Sequence, residues 1–451
     1  AEVMHTRGYR VQGSDLKEGP NLKRLRDHDI DCIIGHDPRN VDGASYLVIS
    51  SAVKAGNPEY EVAQERGIPI IRRAEMLAEL MRPCTTVSVT GTHGKTTTTS
   101  LVADLLYGGG LDPTVITGGI INAWGTNARI GQGEWMVVEA DESDGTFLKL
   151  PTQIGVITNL DPEHMDFWES EDVLYQAFEQ FIEAIPFYGV VVACIDHSVV
   201  RGLMAALGGA ENGRRTLTYG VSRSADVRLF NVRPDHATMT FDVRLGSGVA
   251  GGAREINDLR LPALGHYNAL NAIAALAVAT EAGVSDDLIR TVLANFSGVK
   301  RRFTRVGEWQ GVAIYDDYAH HPVEIAAVLR GANAAGKGRI VAVMQPHRYT
   351  RLQALFNDFS ACFDDADVVI LTPVYSAGEA PIPGIDRDEL AAGLRRHGHP
   401  QVLLVDDAES LADTVASVVM EGDLVVGLGA GTITDWINAL PAKLANQGDA
   451  S

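Results

Sequence analysis

Val87-Ser-Val-Thr-Gly91-Thr-His93-Gly94-Lys95-Thr96-Thr97-Thr-Thr99 decides how this chain is read. A β-branched apolar run leads into two glycines, a lysine and a row of threonines, the order of a buried strand, a tight turn and a helix start. Glycine lets the backbone turn sharply and present its amides. Phosphate oxygens can then be met by the main chain of Gly91, Thr92, His93 and Gly94, by the helix N-terminus through Thr96 and Thr97, and by Lys95. The Thr96 hydroxyl can ligate magnesium. Val89 stands where Gly-x4-Gly-Lys-Ser/Thr has its first glycine, so this is a variant loop. A plain strand–turn–helix junction that carries a lysine is the bland alternative.

A magnesium nucleotide site also needs a carboxylate at the end of a neighbouring strand. Trp135-Met-Val-Val-Glu139 supplies one, followed by the acidic run Asp141-Glu142-Ser143-Asp144. A third strand ends in Asn159-Leu-Asp-Pro-Glu-His164-Met-Asp166, which can bring His164 to a second metal; a hydrogen-bonded loop histidine is the other reading. Farther along, Asn268 and Asn271 share a helical face and suit an adenine edge or a phosphate, with capping as the alternative. Arg301, Arg302 and Asp317 flank the entry to the last segment, as a phosphoryl clamp or as a solvated linker. His320, in Asp316-Asp317-Tyr-Ala-His-His-Pro322, and Arg348 and Arg351 lie just past β-type runs, where α/β folds gather ligands; the arginines can hold a carboxylate bidentately. Gly427-Leu-Gly-Ala-Gly431 reads as a tight strand–helix turn rather than a dinucleotide loop.

The surrounding pattern divides into three. Residues 9–82 alternate short β-type runs (Tyr9–Asp15, Asp31–Ile34, Tyr46–Ile49, Ile68–Ile71) with helical stretches, a small parallel α/β domain. Residues 83–300 hold the loop, strands at Thr86–Thr90, Trp135–Glu139 and Ile154–Thr158, and an antiparallel annex around 216–262. Within the annex Thr238–Leu245 alternates polar and apolar residues, and the glycine-rich stretch 247–253 is the loop at its tip. An alanine-rich helix follows at Ala269–Ala282. Residues 301–451 resume the βα rhythm with strands at Arg339–Met344, Val368–Thr372, Val402–Val405 and Leu424–Leu428 and a helix over Val323–Ala335.

With 451 residues, 45% hydrophobic and 21% charged, the chain is expected to fold as a soluble protein of two or three domains. A net charge of −20 disfavours nucleic acid and anionic membrane surfaces as partners, so any anionic ligand must be held by local basic groups. Four scattered cysteines, with no Cys-x-x-Cys pair, and no membrane-length apolar run point to the cytoplasm. Ala1–Gly8 reads as the end of a helix closed by glycine.

Gly-Thr-His-Gly-Lys-Thr-Thr-Thr, Glu-Ala-Asp-Glu-Ser-Asp-Gly, Asn-x-Asp-Pro-Glu-His-Met-Asp, Arg-Arg-Phe and Asp-Asp-Tyr-Ala-His-His-Pro, in this order, together resemble the Mur ligases. The resemblance implies a three-domain α/β fold. The N-terminal domain would be Rossmann-like and truncated at its start, lacking the first strand and Gly-x-Gly-Gly-x-Gly-Met turn. A central P-loop ATPase with the small antiparallel annex and a C-terminal Rossmann-like domain would follow. The implied reaction joins L-alanine to UDP-N-acetylmuramate through an acyl phosphate, with ATP as co-substrate and magnesium, two ions, as cofactor.

Carried over by residue, Gly91 to Thr97 resemble the phosphate loop, with Lys95, Arg302 and His320 catalytic. Thr96 and Glu139 fall on one magnesium and His164 on the second. Asn268, Asn271, Arg302 and Asp317 match nucleotide contacts, and His320, Arg348 and Arg351 match positions near the amino acid. Ser14 and Asp15 would sit near the uridine, and Thr117, Gly118, Gly119, Glu142, Ser143 and Asn159 would line the muramate pocket. Several sister ligases carry a carbamylated lysine on the helix after His164; residues 169–187 hold no lysine, and Glu179 is a candidate for its charge. A tripeptide-adding ligase of murein recycling is the nearest alternative, although that family has tyrosine where this chain has Ser143. Folylpolyglutamate synthase is more remote, and a non-catalytic nucleotide-binding protein leaves the polar residues of the last segment unexplained.

Overall fold

The computed structural model describes residues 1–451 except 51, 52, 54, 55, 208–212, 236, 237, 336, 337 and 449–451. The chain forms two compact units, one of residues 1–95, 106–118 and 127–218, the other of residues 96–105, 119–126 and 219–451.

In the first unit, Gln12–Asp15 pairs parallel with Asp31–Ile34, and Leu47–Ile49 with Ile70–Arg72. Three of the expected strands are shorter at their starts. Tyr9 and Tyr46 stay exposed, with no face to bury them. Pro69 accepts a hydrogen bond from Leu47 N but has no N–H to return, so that ladder begins at Ile70.

The larger sheet of this unit sets Val190–Cys194, Ile154–Ile157, Thr85–Thr90, Trp135–Glu139 and the start of Thr114–Ile121 side by side, all parallel. Val87, Val89, Met136, Val137, Val138 and Val156 are fully buried, as continuous apolar strands covered on both faces must be. The buried Ser88 hydroxyl is satisfied by Thr152 at 2.8 Å. Helix Glu171–Ala184 starts where Ser170 accepts from Val173 N, with Glu171 and Asp172 at the positive end of the helix dipole. It buries Leu174, Ala177, Phe178, Phe181 and Ile182, one stripe at helical spacing, each large side chain contributing about 1.5–3 kcal/mol. Thr90, Glu139 and Ile157 end three adjacent parallel strands at the same edge, so the loops after them emerge together.

In the second unit, Val227–Asp235, Thr238–Leu245 and Arg254–Leu261 form an antiparallel meander, the expected annex, with the glycine-rich stretch as its tip. The alanine-rich helix runs His266–Glu281 and is buried from Asn268 to Thr280 except at Leu270. It begins earlier than its alanines because Asn268 N already bonds Gly265 O, with Gly265 at φ +89°.

The C-terminal sheet is ordered Thr304–Trp309, Val312–Asp317, Leu424–Leu428, Ile340–Met344, Val368–Leu371, Val402–Leu404. Its first pair is antiparallel and the rest parallel. The antiparallel hairpin is new relative to the sequence reading. It turns on Gln310 and Gly311, both at positive φ (+47° and +78°), in a tight two-residue loop. Gly427 is a packing glycine: a Cβ there would lie 2.3 Å from Ile437 of helix Ile433–Gly448, the tight strand–helix turn that was expected. Cys362 is buried in this unit's core with Phe359 and Phe363, while Cys194 is buried at the end of a strand of the first unit.

Candidate functional site

The loop between Thr90 and Lys95, expected to bind phosphate, is fixed by main-chain geometry first. Gly91 sits at φ +124°, and a Cβ there would meet Thr158 Oγ1 at 2.2 Å; Gly94 is at φ +83°. Only glycine allows the first of these approaches. The loop is then tied to the third strand's end. His93 N donates to Asn159 Oδ1 at 2.7 Å, while the His93 carbonyl accepts from Thr158 Oγ1 at 2.7 Å and Asn159 Nδ2 at 3.0 Å. Thr92 Oγ1 accepts from Asp161 N at 2.8 Å. Asn159, expected in the muramate pocket, thus commits both ends of its amide to the loop.

Lys95 Nζ donates to Gly91 O (2.8 Å), Thr92 O (3.1 Å) and Glu142 Oε2 (2.8 Å), with Asp141 at 3.7 Å. Burial favours the neutral amine, but Glu142 and Asp141 outweigh it and raise the pKa, so the ammonium is a fixed charge. Glu142, also expected at the muramate pocket, is a buried partner of this lysine. Ser143 turns back on its own loop, donating to Asp141 Oδ2 at 2.8 Å.

Of the carboxylates, Glu139 is held at its own strand edge, while Glu142 and Glu163 gather at His164. Glu139 Oε2 accepts from Thr117 Oγ1 and Gly118 N, each at 2.7 Å. Within the second unit, Gly119 is crowded by Thr96, whose Cγ2 would lie 2.7 Å from a Cβ. His164, at the left-handed φ of +57°, joins Glu142 and Glu163, one donor atom from each lying within 4.8 Å of the others. Two carboxylates and an imidazole are a plausible donor set for a divalent cation. Glu163 was missed, although its place beside His164 was the available signal. Glu179, on helix Glu171–Ala184, is not part of this trio.

In the N-terminal strands, Ser14 donates to Glu59 Oε2 at 2.7 Å and meets His36 Nδ1 at 3.0 Å, while Asn40 donates to Glu59 Oε1 at 2.6 Å. Asp15 is exposed. Glu59, His36 and Asn40 are companions of Ser14 that no local pattern announces.

In the second unit, Asn268 Nδ2 donates to Leu264 O at 2.6 Å and Asn271 Nδ2 to Asn268 Oδ1 at 3.4 Å, so the two amides lie in contact along the helix. Asp317 is buried and accepts from Phe303 N and Ala319 N, both at 2.7 Å; burial pushes its carboxyl up to about 6, against the pull of Arg302. The guanidinium of Arg302 lies 5.4 Å and that of Arg301 4.6 Å from the Tyr318 ring centre, and Arg301 also donates to Gly429 O. Arg301 and Phe303 hold left-handed backbones (+63° and +47°), a strain of about 1–3 kcal/mol each of the kind that gathers at working sites. A cavity of about 390 Å³ lies nearby, lined among others by Met239, Leu264, Tyr267, Leu270 and Arg330 and by none of the expected nucleotide contacts.

His320 Nδ1 lies 2.9 Å from Tyr318 O, so the hydrogen is assigned to Nδ1 and Nε2 is the ring's acceptor. Its ring packs edge-on to His347, which stacks on Tyr375 at 5.4 Å and 19°. Burial, with the nearby charges of His320, Arg351 and Arg348, lowers His347 to about 4. Arg348 occupies the N-cap position of helix Tyr349–Ala354 at φ +69°, without a side-chain capping bond, and is exposed; Arg351 Nη1 lies 3.5 Å from His347 Nδ1. His347 and Tyr375 were not foreseen. The first stands between Pro346 and Arg348, a readable place, whereas the second lies in a loop with no pattern.

Residues 1–84 match the family model for the Mur ligase family catalytic domain, residues 89–279 the Mur ligase middle domain, and residues 301–431 the Mur ligase glutamate ligase domain. A UDP-N-acetylmuramate–L-alanine ligase of Rhodopseudomonas palustris is 56% identical over 444 residues, 98% of this chain and 94% of that protein. One of Methylobacterium radiotolerans is 56% identical over 448 residues, 99% and 95%. Among solved structures, the UDP-N-acetylmuramate–alanine ligase of Thermotoga maritima superposes with a TM-score of 0.77 at 25% identity, covering 99% of this chain and 95% of that one. A murein peptide ligase of Psychrobacter arcticus shares the fold, with a TM-score of 0.66 at 20% identity over 98% and 95%.

Proposed function

The chain belongs to the Mur ligase family, and on that premise we propose that it joins L-alanine to the lactyl carboxylate of UDP-N-acetylmuramate, converting ATP to ADP and phosphate, in peptidoglycan synthesis. The fold is the family's three α/β domains, with boundaries placed at residues 1–82, 83–300 and 301–451. The observation that carries the chemistry is the Lys95 ammonium, kept charged and bonded to the loop's own carbonyls. The choice of alanine rests on the curated relatives.

The γ-phosphoryl passes to the lactyl carboxylate, giving an acyl phosphate and ADP. The alanine amine then attacks the acyl carbon and phosphate leaves. The loop amides and Lys95 meet the phosphate charge, a preorganised arrangement that needs no rearrangement as charge develops. Glu142, Glu163 and His164 would hold magnesium, with Thr96 and Glu139 as the second set; bound there, the metal neutralises phosphate charge. Asn268, Asn271, Arg302 and Asp317 serve the nucleotide. Arg348 and Arg351 take the alanine carboxylate, and Nε2 of His320 receives a proton from its ammonium group. Thr117, Gly118, Gly119 and Ser143 face the muramate, and Ser14 and Asp15 the uridine. No described helix is long and apolar enough to cross a membrane; we place the reaction in the cytoplasm, with its nucleotide substrates.

The test is phosphate release. Release should require UDP-N-acetylmuramate and L-alanine together. Release with the tripeptide of murein recycling but not with alanine would replace this reading with the recycling ligase.

A further inference from the structure

Asp161 stands between two histidines from separate parts of the chain. One carboxylate oxygen lies 3.2 Å from Nε2 of His197, and the other lies 3.4 Å from Nε2 of His93. The hydrogen bond from His197 and the nearby ring of His93 hold the Asp161 carboxyl well below the ordinary carboxylate range. His93 belongs to the phosphate loop, and the main chain of Asp161 is already bonded to the Thr92 hydroxyl. His197, by contrast, lies 36 positions beyond Asp161, after another strand.

His197 occupies the N-cap of helix Ser198–Ala206, a position that favours Ser, Thr, Asp or Asn, and its side chain makes no capping bond. Its Nδ1 is buried with no partner among the described residues. Capping does not account for an imidazole there, whereas the bond to Asp161 uses one. Side-chain bonds from Thr158 and Asn159 hold the His93 carbonyl, Asp161 lies against the His93 ring, and His197 bonds Asp161.

We propose that His197 is a positioning residue for the phosphate loop, acting through Asp161 on the ring of His93 and so on the shape the loop offers a triphosphate. The effect needs only an N–H donor at Nε2 of His197. It rests on reading residues 90–99 as an ATP loop. Nucleotide binding is therefore measured by itself, apart from alanine transfer.

In the full chain, His197→Ala should weaken binding of β,γ-imido-ATP with magnesium, measured by calorimetry, by about fivefold to tenfold, raising the KM for ATP by a similar factor with kcat within about twofold. His197→Gln, which keeps a donor, should recover most of the affinity. His93→Ala combined with His197→Ala should weaken binding by less than the product of the single effects, because both act through one carboxylate. An unaltered affinity in His197→Ala, whatever its melting point, would overturn the proposal, as would equal losses in the Gln variant or independent effects in the double variant. Failure of alanine transfer with normal nucleotide binding would instead count against the ligase reading.

Discussion

The two cationic regions are held in opposite ways. In the first unit, a single ammonium, Lys95, is bonded to two carbonyls and a carboxylate, beside a loop whose turns are set by glycine. In the second unit, His320, Arg351 and Arg348 surround His347, and burial, helped by those neighbours, keeps His347 neutral. The first region is neutralised from within by Glu142, whereas the second gathers imidazoles and guanidinium groups side by side. Under the proposed function, phosphate meets a lysine already bonded in place in the first region, and the alanine carboxylate meets Arg348 and Arg351 in the second.

The strongest way to break this contrast is Lys95→Ala. Turnover by phosphate release should fall by about 10³-fold or more; ligation within about tenfold of the parent would mean the loop is not the site. Leaving Glu142 buried without its cation should also cost about 3–5 kcal/mol, so Lys95→Ala/Glu142→Gln should melt closer to the parent than Lys95→Ala. Next in size, Arg351→Ala should raise the KM for L-alanine by about 10–100-fold while the KM for ATP moves less than about twofold. Equal shifts in both would merge the two regions into one.

Asp317 sharpens the contrast through pH. Its folded pKa of about 6 lies above the ordinary 3.8, so the folded chain holds that proton more tightly than the unfolded chain does. Its contribution to stability is complete below about pH 4 and is lost as pH rises through about 6, a total of about 3 kcal/mol. Asp317→Asn should remove about 1 kcal/mol of the fall between about pH 5 and 7, read from urea midpoints. His347 acts in the opposite sense. Lowered from 6.5 to about 4, it stabilises above about 6.5 and ceases to do so as pH drops through about 4. A slope unchanged by Asp317→Asn would show that its burial does not control its ionisation. The smallest effect is a control: Gly311→Ala, at the hairpin turn, should cost about 1 kcal/mol and leave both KM values alone.

The sequence carried the strands Asp31–Ile34, Trp135–Glu139, Thr238–Leu245 and Leu424–Leu428 with their observed limits, because each is a run of one unbroken pattern. It did not carry Thr304–Trp309 with Val312–Asp317, since the turn is Gln-Gly instead of the usual Asn-Gly. Thr114–Ile121 went unread because Gly118 and Gly119 interrupt it. The same logic governs the site. Gly91 to Thr97 are contiguous, so their chemistry is visible as a string. Glu142 against Lys95, Glu163 beside His164, His197 against Asp161 and Tyr375 on His347 are pairings made by the fold, and periodicity cannot report them.

The buried thiols offer a separate use of the molecule. Cys194 lies in the first unit and Cys362 in the second, whereas Cys32 and Cys84 are partly accessible. Burial pushes the Cys362 thiol well above its ordinary value, so its nucleophilic thiolate is scarce until the core around it opens. A colorimetric thiol reagent should thus modify two sulfurs early and two late. With Cys32 and Cys84 replaced by serine, the remaining pair becomes a native clock for each unit: Cys194 times the opening of one and Cys362 of the other. Peptide mapping of the labelled sulfurs would then tell which half of the chain breathes first, and whether nucleotide slows one clock or both.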